Sequence, residues 1–261
     1  MSRIYPLFSS SSGNSCFIGN PSEGILIDAG LNCRRLGQAL LQNDIPIEAI
    51  KAVFITHDHT DHIGALKVFN KRYDIPVYAS AKTMRWLIDG GYLCRNCCQQ
   101  EVGEEIVIGD FAITSFKTPH DAIESVGYRI EMPDGKTCVY CTDLGHVTKE
   151  VDENLRLADL VFLESNYDEN MLRNGPYPYH LKQRIASPDG HLSNSASAKE
   201  LHRLIENGLT KIILGHLSRE NNTPQIAENT LSRELGDEFQ RSRDYLLYIA
   251  PIETSGMAVT F

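Results

Sequence analysis

The run His57-Asp58-His59-Thr60-Asp61-His62 has the form HxHxDH. Its His57, His59, Asp61 and His62 offer three imidazoles and a carboxylate within six residues. An apolar, strand-like stretch, Ala52-Val53-Phe54-Ile55, precedes it, and a helix-like stretch from Ile63 to Lys71 follows. The motif therefore falls on a strand-to-helix loop, where backbone is free to curl around an ion. Imidazole together with carboxylate suits zinc, manganese, iron or cobalt better than calcium or magnesium. A simple capping turn would need only Asp58 or Thr60 and leaves every histidine unexplained.

Metal sites draw ligands from several elements, and candidates recur elsewhere in the chain. Asp28 ends the run Ile25-Leu26-Ile27-Asp28. His120 follows Phe116-Lys117-Thr118-Pro119, and Asp143 follows Cys138-Val139-Tyr140-Cys141-Thr142. Glu164 closes Leu160-Val161-Phe162-Leu163, and His216 closes Ile212-Ile213-Leu214-Gly215. One ionisable residue at the end of an apolar strand means little. Five of them beside an HxHxDH run form a pattern.

The elements that must position these residues read as strands, an α/β stretch, more strands, then α/β again. Strands are expected at 3–7, 16–19, 25–28, 52–55, 76–79, 105–108, 111–118, 125–131, 137–140, 160–163, 211–214, 245–250 and 257–261. Helical periodicity covers 32–43, 63–71 and 193–205, and Thr223-Pro224 opens a further helix as N-cap and first turn. Residues 81 to 100 read as helical, then irregular. Residues 166 to 192 read as a loop insertion over the sheet edge, within a single domain spanning 1–261. The expected product is an α+β or α/β sandwich of two mixed sheets packed face to face, with helices outside.

The bulk properties set limits. A net charge of −9 argues against a surface built for indiscriminate nucleic-acid binding, without excluding a local basic groove. No run of eighteen apolar residues is present, so no membrane span is expected. The first residues lack the apolar core of a signal peptide, and cytoplasmic placement is expected. Seven cysteines in such a chain point to reduced thiols. Cys138 and Cys141 have C-x-x-C spacing on a strand, where i and i+3 point to opposite faces, so they read as packing residues. Cys94, Cys97 and Cys98 could hold a structural zinc, but no fourth ligand is evident.

These residues together resemble the metallo-β-lactamase superfamily, an αββα four-layer sandwich, over nearly the whole chain. The resemblance implies two divalent metal ions, zinc or manganese with iron possible. One would be held by His57, His59 and His120, and the other by Asp61, His62 and His216. Asp143 would bridge them, and Asp28 would support the HxHxDH loop from behind. Such a pair lowers the pKa of a shared water and neutralises phosphate oxygens during in-line displacement, so that the bridging hydroxide attacks phosphorus.

Three segments narrow the chemistry. Gly190-His191-Leu192-Ser193-Asn194 opens the helix at 193–205, where backbone N–H groups favour phosphate oxygens. An N-cap turn with an incidental histidine is the plainer reading. The placement of His191 matches an extra histidine of superfamily nucleases that assists phosphate binding or leaving-group protonation. Glu164 would orient His191, which makes Asp61, His191 and Glu164 the expected catalytic set. Tyr177 to Ile185 interleaves aromatics with Lys182 and Arg184, which could contact a nucleic-acid strand together with Ser193 and Asn194; a loop merely covering the sheet is the alternative. Finally, Ser9 to Ser15 and the segments 174–178, 181–185 and 190–194 resemble the YycJ/WalJ-type bacterial branch. That resemblance implies a 5′→3′ DNA exonuclease; no obligate protein partner is evident in the sequence. A small-molecule metallo-hydrolase acting on a thioester, lactone or cyclic phosphodiester stays open, as does a non-catalytic metal-binding regulator, because fold alone does not choose.

Overall fold

The structure is a computed structural model that describes all 261 residues. The chain forms β1 (Arg3–Ser10), β2 (Gly13–Asn20), β3 (Glu23–Ile27), α1 (Cys33–Gln42), β4 (Ile50–Ile55), α2 (Thr60–Ile63), α3 (Leu66–Arg72), β5 (Val77–Ser80), α4 (Ala81–Asp89) and β6 (Cys97–Gln100). The second half forms β7 (Glu105–Ile108), β8 (Phe111–Lys117), β9 (Val126–Glu131), β10 (Thr137–Cys141), α5 (Lys149–Leu155), β11 (Leu160–Glu164), α6 (Glu169–Asn174), α7 (Tyr179–Ile185), α8 (Asn194–Glu206), β12 (Lys211–Gly215), α9 (Pro224–Leu235), β13 (Leu246–Ile249) and β14 (Val259–Thr260).

Two seven-stranded mixed sheets result, in the orders β14-β1-β2-β3-β4-β5-β6 and β13-β12-β11-β10-β9-β8-β7. This is the expected sandwich. Strand alternation builds it. In β4, Ala52 and Phe54 enter the core between the sheets, where they meet Phe111, Tyr128, Tyr140 and Phe162. Val53 and Ile55 face the other way, against Leu36 and Leu40 of α1, Phe69 of α3 and Leu87 of α4. In β10, Cys138 and Tyr140 face the inter-sheet core, while Val139 and Cys141 face Leu201 of α8 and Leu231 of α9. The Cys138/Cys141 pair is thus split between two cores, as packing residues on a strand must be.

The structure departs from the sequence reading in four places, one of them the unexpected helix α5, capped by Thr148. The helix beginning at Ala81 stops at Asp89, and Cys97 and Cys98 open a parallel strand paired with Val77 and Tyr78 of β5. Polar residues at this sheet edge hid the strand. The helix expected at 63–71 begins at Leu66, after the separate short helix α2; at Gly64 between them a Cβ would lie 2.2 Å from the Leu31 carbonyl oxygen. The segment 166–192 is not an open loop: it carries α6 and α7, which clamp a small core of Tyr167, Leu172 and Ile185. Asp168 caps α6 by accepting from the Asn170 and Met171 N–H groups. No helix is long and apolar enough to cross a membrane.

In each sheet the strands from the middle to one edge are parallel, β3 to β6 in one and β10 to β13 in the other. Their C-terminal ends open on one side, the side on which open α/β sheets carry ligands.

Candidate metal centre

Asp28, Asp143 and His216 follow the C-terminal ends of β3, β10 and β12, and all three have left-handed backbone, with φ of 58°, 59° and 54°. Few non-glycine residues adopt this conformation, although Asp and His tolerate it better than most. Such strained positions cluster at functional sites. Here the turn halts each strand and folds its last side chain into a common space.

The first sheet supplies a contiguous loop. Thr56 and His57 leave β4 fully buried, and α2 then carries Asp61 and His62. Asp28 lies beneath this loop. Its Oδ1 accepts from the Thr56 N–H at 2.8 Å, and its Oδ2 lies 2.7 Å from His62 Nδ1. That contact assigns the Nδ1 proton and turns His62 Nε2 toward the site. His57 Nδ1 is 3.0 Å from Thr56 Oγ1, so its Nε2 also faces inward. Gly30 is needed beside the loop because a Cβ there would lie 2.1 Å from the Asp61 carbonyl oxygen.

The second sheet supplies one residue per strand end. His120 follows β8 and donates from Nδ1 to the Gly190 carbonyl at 2.9 Å, which leaves Nε2 3.3 Å from His59 Nδ1. Asp143 sends Oδ2 to 3.3 Å from His62 Nε2 and Oδ1 to 3.3 Å from His216 Nδ1. Glu164, fully buried, accepts from the Leu144 and Leu192 N–H groups through Oε2. Its Oε1 lies 2.8 Å from His191 Nδ1 and 2.7 Å from His216 Nδ1.

The electrostatics follow from this crowding. Burial and three neighbouring imidazoles push His57 well below the usual histidine range. Burial pushes His62 the same way, but the Asp28, Asp143 and Asp61 carboxylates outweigh it and hold the ring well above that range. His216 is raised to about 10: burial opposes its charge, and Asp143, Asp61 and Glu164 overcome it. Burial opposes the charge on Asp61, and His62 and His216 hold it low nonetheless. Asp143 is depressed likewise, by His216 and His62 against burial.

Four sets of donor atoms at this site each lie within 4.8 Å of one another inside the set: His57, His59 and His120; Asp61, His62 and His216; His57, His62 and Asp143; and Asp143, Glu164, His191 and His216. Three buried atoms in this space, His57 Nε2, Asp143 Oδ2 and His216 Nε2, have no hydrogen-bond partner. Each such atom costs about 1–3 kcal/mol. Cations bound in this space would satisfy them, and a nitrogen-rich set with carboxylates suits zinc, manganese or iron. The residues present therefore fit a bound metal.

The structure brings together every sequence candidate for the metal centre, and places His191 and Glu164 at its edge. Lys182 and Arg184 lie on α7. Arg184 pairs with Asp121, with Nη2 3.0 Å from Oδ1, and the same Asp121 oxygen is 3.5 Å from His120 Nε2. Ser193 caps α8 by accepting from the Ala196 N–H, and Asn194 is buried in a hydrogen-bonded network with Ser165 and Asn222. Both side chains are thus already engaged within the fold. His146 donates to the Pro188 carbonyl at 2.9 Å, and His180 is exposed.

Other contributors escaped the sequence reading. Asn14, fully buried, donates to Asp61 Oδ2 at 3.1 Å. Ser9 Oγ accepts from the His216 N–H at 2.7 Å, and Asn166 donates to the His216 carbonyl at 2.8 Å. The small-residue run Ser9–Ser15 was the one available signal for the first two, because only small side chains let a β1–β2 hairpin come this close.

Comparison with known proteins agrees with this geometry. Residues 24–216 match the beta-lactamase superfamily domain. The exodeoxyribonuclease WalJ of Streptococcus pneumoniae (serotype 2, strain D39) is 37% identical over 233 residues, covering 88% of this chain and 86% of that protein. The exodeoxyribonuclease YycJ of Bacillus anthracis is 34% identical over 235 residues, covering 89% and 88%. Among solved structures, the metallo-β-lactamase fold protein YhfI of Bacillus subtilis superposes with a TM-score of 0.73 at 18% identity, over 99% of this chain and 98% of that one. Zinc-bound PqqB of Methylobacterium extorquens superposes with a TM-score of 0.74 at 15% identity, over the full length of both, and at this identity the likeness concerns the fold. The chain therefore belongs to the β-lactamase superfamily, in the group that includes WalJ and YycJ.

Proposed function

We propose that this protein is a metal-dependent hydrolase that cleaves phosphodiester bonds at the ends of DNA, as a 5′→3′ exonuclease. The observation that carries the nuclease reading is its likeness, over most of both chains, to two proteins named exodeoxyribonucleases. The 5′→3′ direction rests on the branch resemblance alone. The donor set supports the hydrolase reading independently.

His57, His59 and His120 would hold one divalent ion, and Asp61, His62 and His216 a second, with Asp143 between them. When bound, such a pair supplies an activated water and neutralises charge on the phosphate. The remaining work falls to the chain. Asp28 fixes the His62 ring through Nδ1, so the loop presents its nitrogen without rearrangement. Asp61 and Asp143 offset part of the positive charge. Glu164 takes the Nδ1 side of His191. That leaves Nε2 as the atom able to bind a phosphate oxygen or carry a proton to the leaving oxygen.

The test is digestion of end-labelled single- and double-stranded DNA and RNA by metal-stripped protein reloaded separately with manganese and zinc. Metal-dependent digestion of DNA is expected, with the label pattern giving the direction. Failure to cleave any strand with either metal, alongside hydrolysis of a thioester or lactone panel, would move the protein to the small-molecule hydrolases.

A further inference from the structure

Helices α6 and α7 line an open cavity of about 450 Å³ that the metal centre does not use. Glu169, Leu172 and Arg173 of α6 line one wall. Tyr179 and Lys182 of α7 and Ala186 at its C-cap line the other, and Tyr167 lines it from the segment after β11. Its size is that of a small-ligand site.

The cavity lies directly behind the His191 loop. Tyr167 is three residues beyond Glu164, and its carbonyl accepts from the Asn194 N–H at 2.8 Å. The last carbonyl of α7, at Ile185, accepts from the His191 N–H at 2.9 Å. Gly190 permits this approach, since a Cβ there would lie 2.3 Å from the Arg184 and Ile185 carbonyl oxygens. Arg184 leaves the opposite face of α7 for Asp121, beside His120. One short helix therefore separates the metal centre from the cavity.

We propose that this cavity is a base-binding subsite, which takes the nucleobase of a nucleotide further along the single strand whose end lies at the metal centre. The proposal rests on the nuclease reading above. Its chemistry is that of a single-strand subsite: an aromatic face on which any base can stack, with cations for the backbone. Tyr179 is 75% exposed, an unusual position for an aromatic ring with no apolar cover. Gln183 donates to its hydroxyl at 2.8 Å and steadies the ring. Lys182 Nζ donates to the Arg173 carbonyl, a neutral partner, so Lys182 and Arg173 together outweigh the one carboxylate of the lining, Glu169, on a chain whose net charge is −9. That lining complements a polyanion.

The experiment compares wild type, Tyr179→Ala and Tyr179→Phe as full-length proteins. Binding of a fluorescein-labelled single-stranded DNA with a cleavage-resistant phosphorothioate backbone is read by anisotropy on the metal-loaded protein. Stacking on one base predicts that Tyr179→Ala weakens binding by roughly tenfold or more, while Tyr179→Phe stays near wild type. Oligonucleotides with a single abasic residue, scanned along the strand, should weaken wild-type binding at one position, and Tyr179→Ala should show no further loss there. Equal binding by Tyr179→Ala and wild type, or an equal loss in Tyr179→Phe, overturns the subsite. If wild type meanwhile digests DNA when loaded with metal, the nuclease reading stands without it. If wild type digests no strand, both fall together.

Discussion

Two fully buried carboxylates hold the two halves of the site, and burial acts on them with different results. Asp28, under the first sheet's loop, has one imidazole partner, and burial still raises its pKa above the usual carboxylate range. Glu164, at the end of β11, is as deeply buried but lies between His191 and His216, which hold it well below that range. A buried carboxylate stays charged only as far as its partners replace water. Glu164 also accepts two backbone N–H groups. The first half is thus a preassembled loop anchored at one point. The second half is a set of separate strand ends tied together through one carboxylate.

Asp143 touches both halves, so Asp143→Ala should be the most damaging change. Loss of a shared ligand should lower turnover by about 10⁴-fold or more, several kcal/mol of lost stabilisation. Elemental analysis after dialysis should show metal falling in parallel. A variant that retains both metal and activity would show that the halves function independently.

In the second half, His191 and its partner Glu164 should be sensitive in turnover rather than in metal content. His191→Ala should keep its metal and slow turnover by roughly 10²–10³-fold, within the range for general acid–base catalysis. Glu164→Gln should do the same through His191, and the double variant should be little worse than either single one. Additive losses would mean that Glu164 acts through His216 instead. Unchanged nuclease turnover in His191→Ala would remove that residue from the chemistry.

The first half should respond the other way. Asp28→Asn suits the test because Asn tolerates the φ of 58°. Outer partners of metal-binding histidines are worth about 10–100-fold in metal affinity. Titration with metal should therefore show weaker binding, and turnover should return when metal is in excess. Turnover that stays low at saturating metal would make the two carboxylates equivalent and undo the contrast.

The contrast also explains what could be read from the sequence. The first half is contiguous, so His57, His59, Asp61 and His62 announce themselves by spacing. The second half appears only as ionisable residues after apolar runs, and became a site by being counted together. Both sheets were legible because β4 and β10 are apolar on both faces between short turns. Strand β6 was not, because its residues Cys97 to Gln100 include two glutamines on a sheet edge. Helices α6 and α7 were hidden by their brevity, six and seven residues around Pro176 and Pro178 rather than a sustained period. Asn14 and Ser9 carried only the small-residue run around them, and Asn166 no pattern at all, since a single buried amide or hydroxyl gains its role from a tertiary neighbour.

The smallest effect should come from the rim, at Arg184. Its ion pair with Asp121 joins two half-exposed side chains, 51% and 33% accessible. Pairs of this kind contribute about 0–1 kcal/mol to stability, so Arg184→Ala should leave the thermal midpoint nearly unchanged. Its effect should fall on substrate instead. Removing the guanidinium frees Asp121 3.5 Å from His120 Nε2 and leaves an uncompensated carboxylate at the mouth. A polyanionic strand should then meet more repulsion, raising KM several-fold with kcat little changed, and more so at low salt. The companion Asp121→Asn should restore part of the loss. If KM is unaffected at any salt concentration, Arg184 serves only to pin α7 against the His120 loop, and contact with the strand falls to the opposite face of that helix.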